Sequence, residues 1–256
     1  MTTPKLVGIV NITGDSFSDG GKFLEAGAAI AQAKHLIAEG TDVVELSGAS
    51  SNPRSARISA TEQIARMTPV LDALEAPLSI DATDIDVQRW ALSKDVAYLN
   101  DIKGFPDASL YPELTKSNAK LVVMHAMMDG DKASRAAHTT QQVFDSIYSF
   151  FTTRLQQLEA AGVSRERLII DPGMGFFLSS DPAPSFAVLS RIKELKERFG
   201  LPLMVSVSRK SFLRGGAAPD SPQTAARTLE VELDAVKNGA DYIRTHDVRQ
   251  LKTALS

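Results

Sequence analysis

Short β-branched and aliphatic runs alternate along the chain with longer segments whose apolar residues recur every three or four positions, the pattern of strand and helix taking turns. Eight strands are predicted: 6–10, 42–46, 78–80, 97–99, 121–124, 168–170, 203–207 and 242–244. Val143, Ile147, Phe151, Leu155 and Leu158 mark one amphipathic helix, and Leu189, Ile192, Leu195 and Phe199 mark another. At Gly40, Gly162, Gly200 and Gly239 a helical pattern stops and a strand pattern follows within a few residues. Glycine accepts the left-handed backbone that closes a helix, so these four positions announce a repeated helix, stop, strand unit. Strands joined through crossover helices are parallel. Eight of them predict an α/β protein, a single (β/α)8 TIM barrel over residues 1–256, with residues 128–140 and 215–222 as loops within it and a last helix over 248–255.

The chain has 256 residues, a formal net charge of −3, 43% hydrophobic and 23% charged residues. That is ordinary for a globular protein and gives an ample core. With no cysteine, disulfides, thiolate nucleophiles and Cys-ligated zinc are excluded. No apolar run approaches the roughly 20 residues that span a bilayer, and a cytoplasmic location is expected. Slight acidity with mixed charge signs argues against nucleic acid or a membrane surface as partner, which call for a basic patch.

In a (β/α)8 barrel the chemistry belongs to residues at or just after the C-terminal strand ends, where the loops converge on one mouth. After the eight predicted strands come Asn11, Ser47 with Ser50, Asp81, Asn100 with Asp101, His125, Asp171, Ser208 to Ser211, and Arg244 with His246. Strand ends meet solvent and are often polar, but polar or ionisable groups after all eight make a pattern. Asp81, Asn100 and Asp171 suit a heterocycle that presents several N–H donors and a carbonyl, a purine-like or pterin-like edge. Lys210, Arg244 and His246 offer positive charge and donors, which suit phosphate or pyrophosphate. His125, alone after an apolar strand, reads as a hydrogen-bonded structural residue. Gly20-Gly21-Lys22 lacks the spacing of a phosphate-binding loop. In Asp171-Pro172-Gly173-Met174-Gly175-Phe176 the glycines let backbone pass close to a ligand.

These residues also resemble a known family, the dihydropteroate synthases. The resemblance covers nearly the whole chain and rests on an ordered set: Gly8-Ile9-Val10-Asn11-Ile12-Thr13 continuing into Asp15-Ser16-Phe17-Ser18-Asp19-Gly20-Gly21, then Asn100-Asp101, Met124-His125, Asp171-Pro172-Gly173, Ser208-Arg209-Lys210-Ser211 and Arg244-Thr245-His246-Asp247. It implies condensation of 7,8-dihydropterin-6-ylmethyl pyrophosphate with 4-aminobenzoate, with Mg²⁺ as cofactor and a homodimer as assembly. It further implies that Asp81, Asn100, Met124, Asp171, Ser206 and Lys210 hold the pterin with Arg244 stacked on its face. Asn11, Ser50, Arg244 and His246 would take the pyrophosphate, Asn11 by way of the metal. Phe17, Ser51, Pro53, Phe176, Phe177, Lys210 and Ser211 would line the aminobenzoate site. Asp15, on the first loop, would help cover the site and stabilise a pterin methylene cation; with Lys210, Arg244 and His246 it completes the expected catalytic set.

The departures from the family pattern carry information. Thr13-Gly14-Asp15 replaces Thr-Pro-Asp, which should loosen the first loop. Ser47-Gly48-Ala49-Ser50-Ser51-Asn52-Pro53 replaces a segment that usually carries an arginine. Gly175-Phe176-Phe177-Leu178 adds an aromatic beside the expected aminobenzoate pocket. The last two changes, with Asn100-Asp101-Ile102-Lys103-Gly104-Phe105-Pro106, are similar to the sulfonamide-insensitive branch of the family. Phe177 is the candidate for excluding a drug that extends beyond the substrate. Glu45, Ser47, Ala82 and Ser206 stand where Asp, Gly, Thr and Gly are usual; the Glu45 and Ala82 exchanges read as conservative, and Ser206 as a source of crowding. A pterin-binding barrel without synthase activity, or a methyltetrahydrofolate-using methyltransferase, would share the pterin contacts. Neither needs the pyrophosphate-binding set that this chain keeps.

Overall fold

A computed structural model of the chain describes residues 3–12, 19–49, 58–129, 132–134 and 136–256. Eight parallel strands, each buried on both faces, form the centre: β1 (Lys5–Asn11), β2 (Val43–Ser47), β3 (Leu78–Asp81), β4 (Tyr98–Asp101), β5 (Lys120–Met124), β6 (Leu168–Asp171), β7 (Met204–Val205) and β8 (Tyr242–Thr245). They pair in the order β6-β5-β4-β3-β2-β1-β8-β7. A parallel bridge between Ile170 and Leu203 brings β6 against the start of β7 and closes the ring. All eight predicted strands are present; the seventh is shorter than its apolar run, two residues rather than five.

Helices surround the ring: α1 (Asp19–Glu39), α2 (Ala60–Asp72), α3 (Ile85–Ser93), α4 (Tyr111–Lys116), α5 (Thr140–Ala160), α6 (Ala183–Ser190), α7 (Ile192–Phe199), α8 (Ser211–Arg214), α9 (Pro222–Lys237) and α10 (Val248–Leu255). The five apolar positions predicted for α5 are buried, and a reciprocal Thr139–Gln142 capping box opens this helix. The second predicted helix is two. Its apolar positions are buried as expected, but the backbone leaves the helical region at Arg191, with φ −113° and ψ 20°, and divides α6 from α7. Gly40, Gly162, Gly200 and Gly239 all have positive φ, between 60° and 100°, so the predicted stops use the conformation that only glycine adopts without strain. Residues 128–140, predicted as a loop, carry a small antiparallel pair, Met128–Asp129 with Lys132–Ala133.

Two apolar layers result. The larger lies between strands and helices; the smaller fills the inside of the ring with Val7, Val43, Tyr98, Val122, Ile169, Met204 and Tyr242. Side chains along a strand alternate between faces, so the residue two positions further on returns to the interior. Counting two from each of those seven gives Ile9, Glu45, Asn100, Met124, Asp171, Ser206 and Arg244. The barrel thus has an apolar floor and, one layer above it toward the C-terminal mouth, a mostly polar ring.

Candidate active site

Glu45 occupies the middle of that ring. It is 1% exposed. Its Oε2 accepts from Ser79 Oγ at 3.0 Å and from Asn100 Nδ2 at 3.1 Å. Its Oε1 accepts from Nε of Arg244. Arg244 also donates through Nη2 to Asp81 Oδ2 at 3.1 Å, and its Nη1 lies 3.4 Å from Ser206 Oγ. Glutamate for the usual aspartate is conservative in charge, yet the position is central: Ser79 and Asp81 of β3, Asn100 of β4, Arg244 of β8 and Ser206 just beyond β7 converge on this one carboxylate or its arginine partner. A signal was available in principle: a glutamate inside the otherwise apolar run Val43-Val44-Glu45-Leu46 must be buried and must therefore find partners.

Asp81, Asn100, Met124, Asp171, Ser206, Lys210 and Arg244, predicted together, do lie together around the mouth. Asp171 is buried and accepts from Gly173 N at 2.8 Å. Gly173 has φ +76°, and a side chain there would meet the carbonyl of His125 at 2.4 Å, so this turn requires glycine. Asn100 Oδ1, buried, has no hydrogen-bond partner among the described residues. Lys210 follows Arg209, a non-glycine residue with φ +58°. That sharp turn carries the lysine back over the mouth, where Nζ donates to Met174 O at 3.0 Å and stands 4.7 Å from the centre of the Phe177 ring.

Burial dominates the electrostatics. It raises Asp81 to about 7, helped by the charge of Glu45 and opposed by Arg244. It raises Asp171 to about 6 against the pull of Lys210, and lowers Lys210 to about 8 against the pull of Asp171. His246 departs from its expected role as a cation. Burial, with the charges of Arg209 and Arg244, lowers it to about 4. The ring is therefore neutral at pH 7 and serves as a donor or acceptor. Its Nδ1 lies 2.9 Å from Ser208 Oγ, and it borders a cleft of about 330 Å³ shared with Arg209, Asp247, Gln32 and His35. Arg209 is paired with Asp247 at 2.8 Å.

The remaining expectations divide. His125 is structural in geometry: buried, with Nδ1 3.1 Å from Pro172 O and Nε2 2.9 Å from Ser146 Oγ. Phe176 and Phe177 stack with ring centres 4.2 Å apart. Phe177 is the buried member and Phe176 the partly exposed one, so the added aromatic underlies Lys210. Ser211 is exposed at the start of the four-residue α8. Asn11 is exposed at the end of β1, in register with Ser47. Asp15, Phe17, Ser50, Ser51 and Pro53 lie outside the described residues.

Comparison with known proteins agrees with this arrangement. The model of the family described as pterin binding enzyme matches residues 7–246. The type-2 dihydropteroate synthase of Escherichia coli is 53% identical over 254 residues, covering 98% of this chain and 93% of that protein. Among solved structures, a dihydropteroate synthase from Anaplasma phagocytophilum with bound 6-hydroxymethylpterin-monophosphate superposes with a TM-score of 0.86 at 32% identity, covering 99% of this chain and 97% of that one. One from Xanthomonas albilineans with 4-aminobenzoic acid gives 0.86 at 31% identity, covering 98% and 90%. A barrel whose mouth presents acids and an amide beside a lysine and an arginine, with these relatives over its whole length, belongs to the pterin binding enzymes and, among them, to the dihydropteroate synthases.

Proposed function

We propose that the polar ring divides the synthase reaction between a pterin side and a pyrophosphate side. The reaction joins 7,8-dihydropterin-6-ylmethyl pyrophosphate to 4-aminobenzoate and releases pyrophosphate and 7,8-dihydropteroate. The observation that carries the assignment is Asn100 Oδ1, a buried acceptor without a partner among the described residues, set in the polar ring with the acids Asp81 and Asp171. A buried unsatisfied acceptor is costly, and a ring N–H supplies the missing donor.

On this reading Asp81, Asn100 and Asp171 accept from the pterin, while Lys210 donates to it and Met124 and Ser206 lie beneath. Arg244 and His246 receive the pyrophosphate as it leaves. Preorganised donors and positive charge at the leaving group lower the barrier for heterolysis of the methylene–oxygen bond. No strong base is required, because the arylamine is neutral at pH 7 and loses its proton only after the new C–N bond forms. Phe176, Phe177, Lys210 and Ser211 border the aminobenzoate side, with Phe17, Ser51 and Pro53 assigned to it from the motif, as Ser50 is to the pyrophosphate and Asp15 to the cover over the cation.

Mg²⁺ is compatible with the residues present. Among the described residues no three acids or histidines form a cage, and Asn11 offers a single hard oxygen. Mg²⁺ is commonly held by one or two protein oxygens plus substrate phosphates and water, which suits an ion carried largely by the pyrophosphate. Bound with Asn11, it would neutralise charge on the leaving group. Among the described residues no helix is long and apolar enough to cross a membrane. A cytoplasmic homodimer with reduced sulfonamide sensitivity completes the proposal.

The test is pyrophosphate release by the purified protein with both substrates and Mg²⁺, with and without a sulfonamide. Release that needs both substrates and persists at high drug concentration is expected. Retained pterin binding with no release would overturn the synthase role in favour of a silent pterin binder. Release abolished by the drug would overturn the reduced sensitivity alone.

A further inference from the structure

We propose that Glu45 is the positioning residue of the pterin site: it sets the hydrogen-bond polarity of Asn100 and the place of Arg244, and so prepares the mouth for a ring edge that presents N–H donors.

The argument starts from what a carboxylate can do. An ionised carboxylate only accepts hydrogen bonds. The 3.1 Å contact between Asn100 and Glu45 Oε2 therefore turns the amide NH₂ toward Glu45 and leaves Oδ1 as an acceptor without a partner among the described residues. The orientation of the amide follows from its neighbour and not from local backbone preference. Ser79 Oγ, a second donor to the same oxygen at 3.0 Å, holds Oε2 in place. Oε1 is thereby left for Arg244 Nε, and the guanidinium projects its Nη2 to Asp81. One side chain thus couples an acceptor that the substrate reads to a cation that the substrate must engage. Glu45 is 1% exposed, so it acts through Asn100 and Arg244.

Glutamine at this position keeps the shape and breaks the logic. If its oxygen faces Asn100 and Ser79, its NH₂ opposes the Arg244 guanidinium, donor against donor. If it turns over, Asn100 must flip and present NH₂ where Oδ1 was. Aspartate keeps the acceptor chemistry on a shorter stem.

This inference rests on the assignment of the pterin to the mouth, and the experiment separates the two. Binding of 6-hydroxymethylpterin-monophosphate is measured for the unsubstituted chain, Glu45→Gln and Glu45→Asp, together with KM for 4-aminobenzoate. Glu45→Gln should weaken pterin-phosphate binding roughly 10- to 100-fold, the range for a charge-assisted hydrogen bond lost in a buried site, and change KM for aminobenzoate less than about threefold. Glu45→Asp should recover most of the affinity. The acid limb of pterin binding should also move to lower pH in Glu45→Gln. Asp81 is faced by Glu45, Asp101 and Asp171 against Arg244 and by Lys210, and losing one negative neighbour eases its ionisation. That shift reports the charge of Glu45, whereas loss confined to the pterin and its recovery in Glu45→Asp report the positioning. If Glu45→Gln does not fold, Ser79→Ala should show a smaller loss, about two- to fivefold, again confined to the pterin. Binding by the unsubstituted chain that Glu45→Gln leaves within twofold, or equal losses for both substrates with Glu45→Asp no better than Glu45→Gln, would overturn the role of Glu45. No binding by the unsubstituted chain would overturn the pterin assignment and the role of Glu45 together.

Discussion

Arg244 Nη2 donates to Asp81 Oδ2 at 3.1 Å across the mouth of the barrel, so a cation expected on the pyrophosphate side is tied to an acid expected on the pterin side. Proton binding by either acid of the ring then matters to substrate binding. Asp81 and Asp171 lie at about 7 and about 6, both raised chiefly by burial, and both accept from the pterin most strongly when ionised. Lys210, lowered by burial to about 8, must keep its proton. The profile of kcat/KM for the pterin substrate should therefore be a bell, falling as pH drops through 7 to 6 and again as it rises past about 8. Lys210→Arg should move the alkaline limb upward, since guanidinium keeps its charge; a limb that stays put would show that another group sets it.

Phe177 is buried at 5% exposure beneath the ammonium of Lys210. Its effect on a sulfonamide would be exerted through the two groups it supports, the Phe176 ring and the Lys210 ammonium. Phe177→Gly should increase inhibition of an active enzyme, with KM for aminobenzoate changing less. Because emptying a buried phenyl site costs roughly 3–5 kcal/mol, Phe177→Leu is the companion variant and should shift the dose–response curve the same way by less. Unchanged inhibition in both active variants would remove Phe177 from drug discrimination.

Asn11, at the end of β1, is the described residue assigned to Mg²⁺. Asn11→Ala should raise the Mg²⁺ concentration needed for half-maximal turnover several-fold and leave pterin binding without phosphate unchanged. A titration that superposes on that of the unsubstituted enzyme would place the ion elsewhere.

Glu232, on α9, is 1% exposed, and its Oε1 has no hydrogen-bond partner among the described residues. Burial raises it to about 8, eased by a hydrogen bond with Thr245 and reinforced by the charge of Asp247. A carboxyl raised above its ordinary value of 4.5 contributes stability that is fully present below pH 4.5 and is lost as pH rises through about 8. Tm of the unsubstituted protein should thus decline between pH 5 and 8 more steeply than that of Glu232→Gln, which should be the more stable of the two at pH 8 by on the order of 1–3 kcal/mol. Parallel Tm curves would show that Glu232 is ionised throughout.

Much of this architecture was legible along the chain. The eight strands and the four helix-ending glycines are local signals, since period-2 and period-3.6 patterns and positive φ are properties of a few consecutive residues. The residues clustered at the strand ends were legible too, because a parallel barrel delivers every strand end to one mouth. The break at Arg191 was not: the apolar positions Leu189, Ile192 and Leu195 stay buried on both sides of it, so the periodicity runs through the discontinuity. The neutrality of His246 was equally hidden, because it depends on burial and on Arg209 and Arg244 nearby.

Sequence alone determined the order of elements, the closure of parallel strands into a barrel, and the chemical kinds of group delivered to the mouth. Tertiary structure decided how those groups pair. Glu45 and Arg244 are 199 positions apart, and Asp81 and Arg244 163 apart, so no local pattern relates them. Their meeting follows from the ring of strands, which places β8 next to β1 and sets Glu45 on the same interior layer. Hydrogen-bond direction at Asn100 and the pKa of Asp81 are set by charges and donors from other strands in a dry interior, and those neighbours exist only once the barrel has closed.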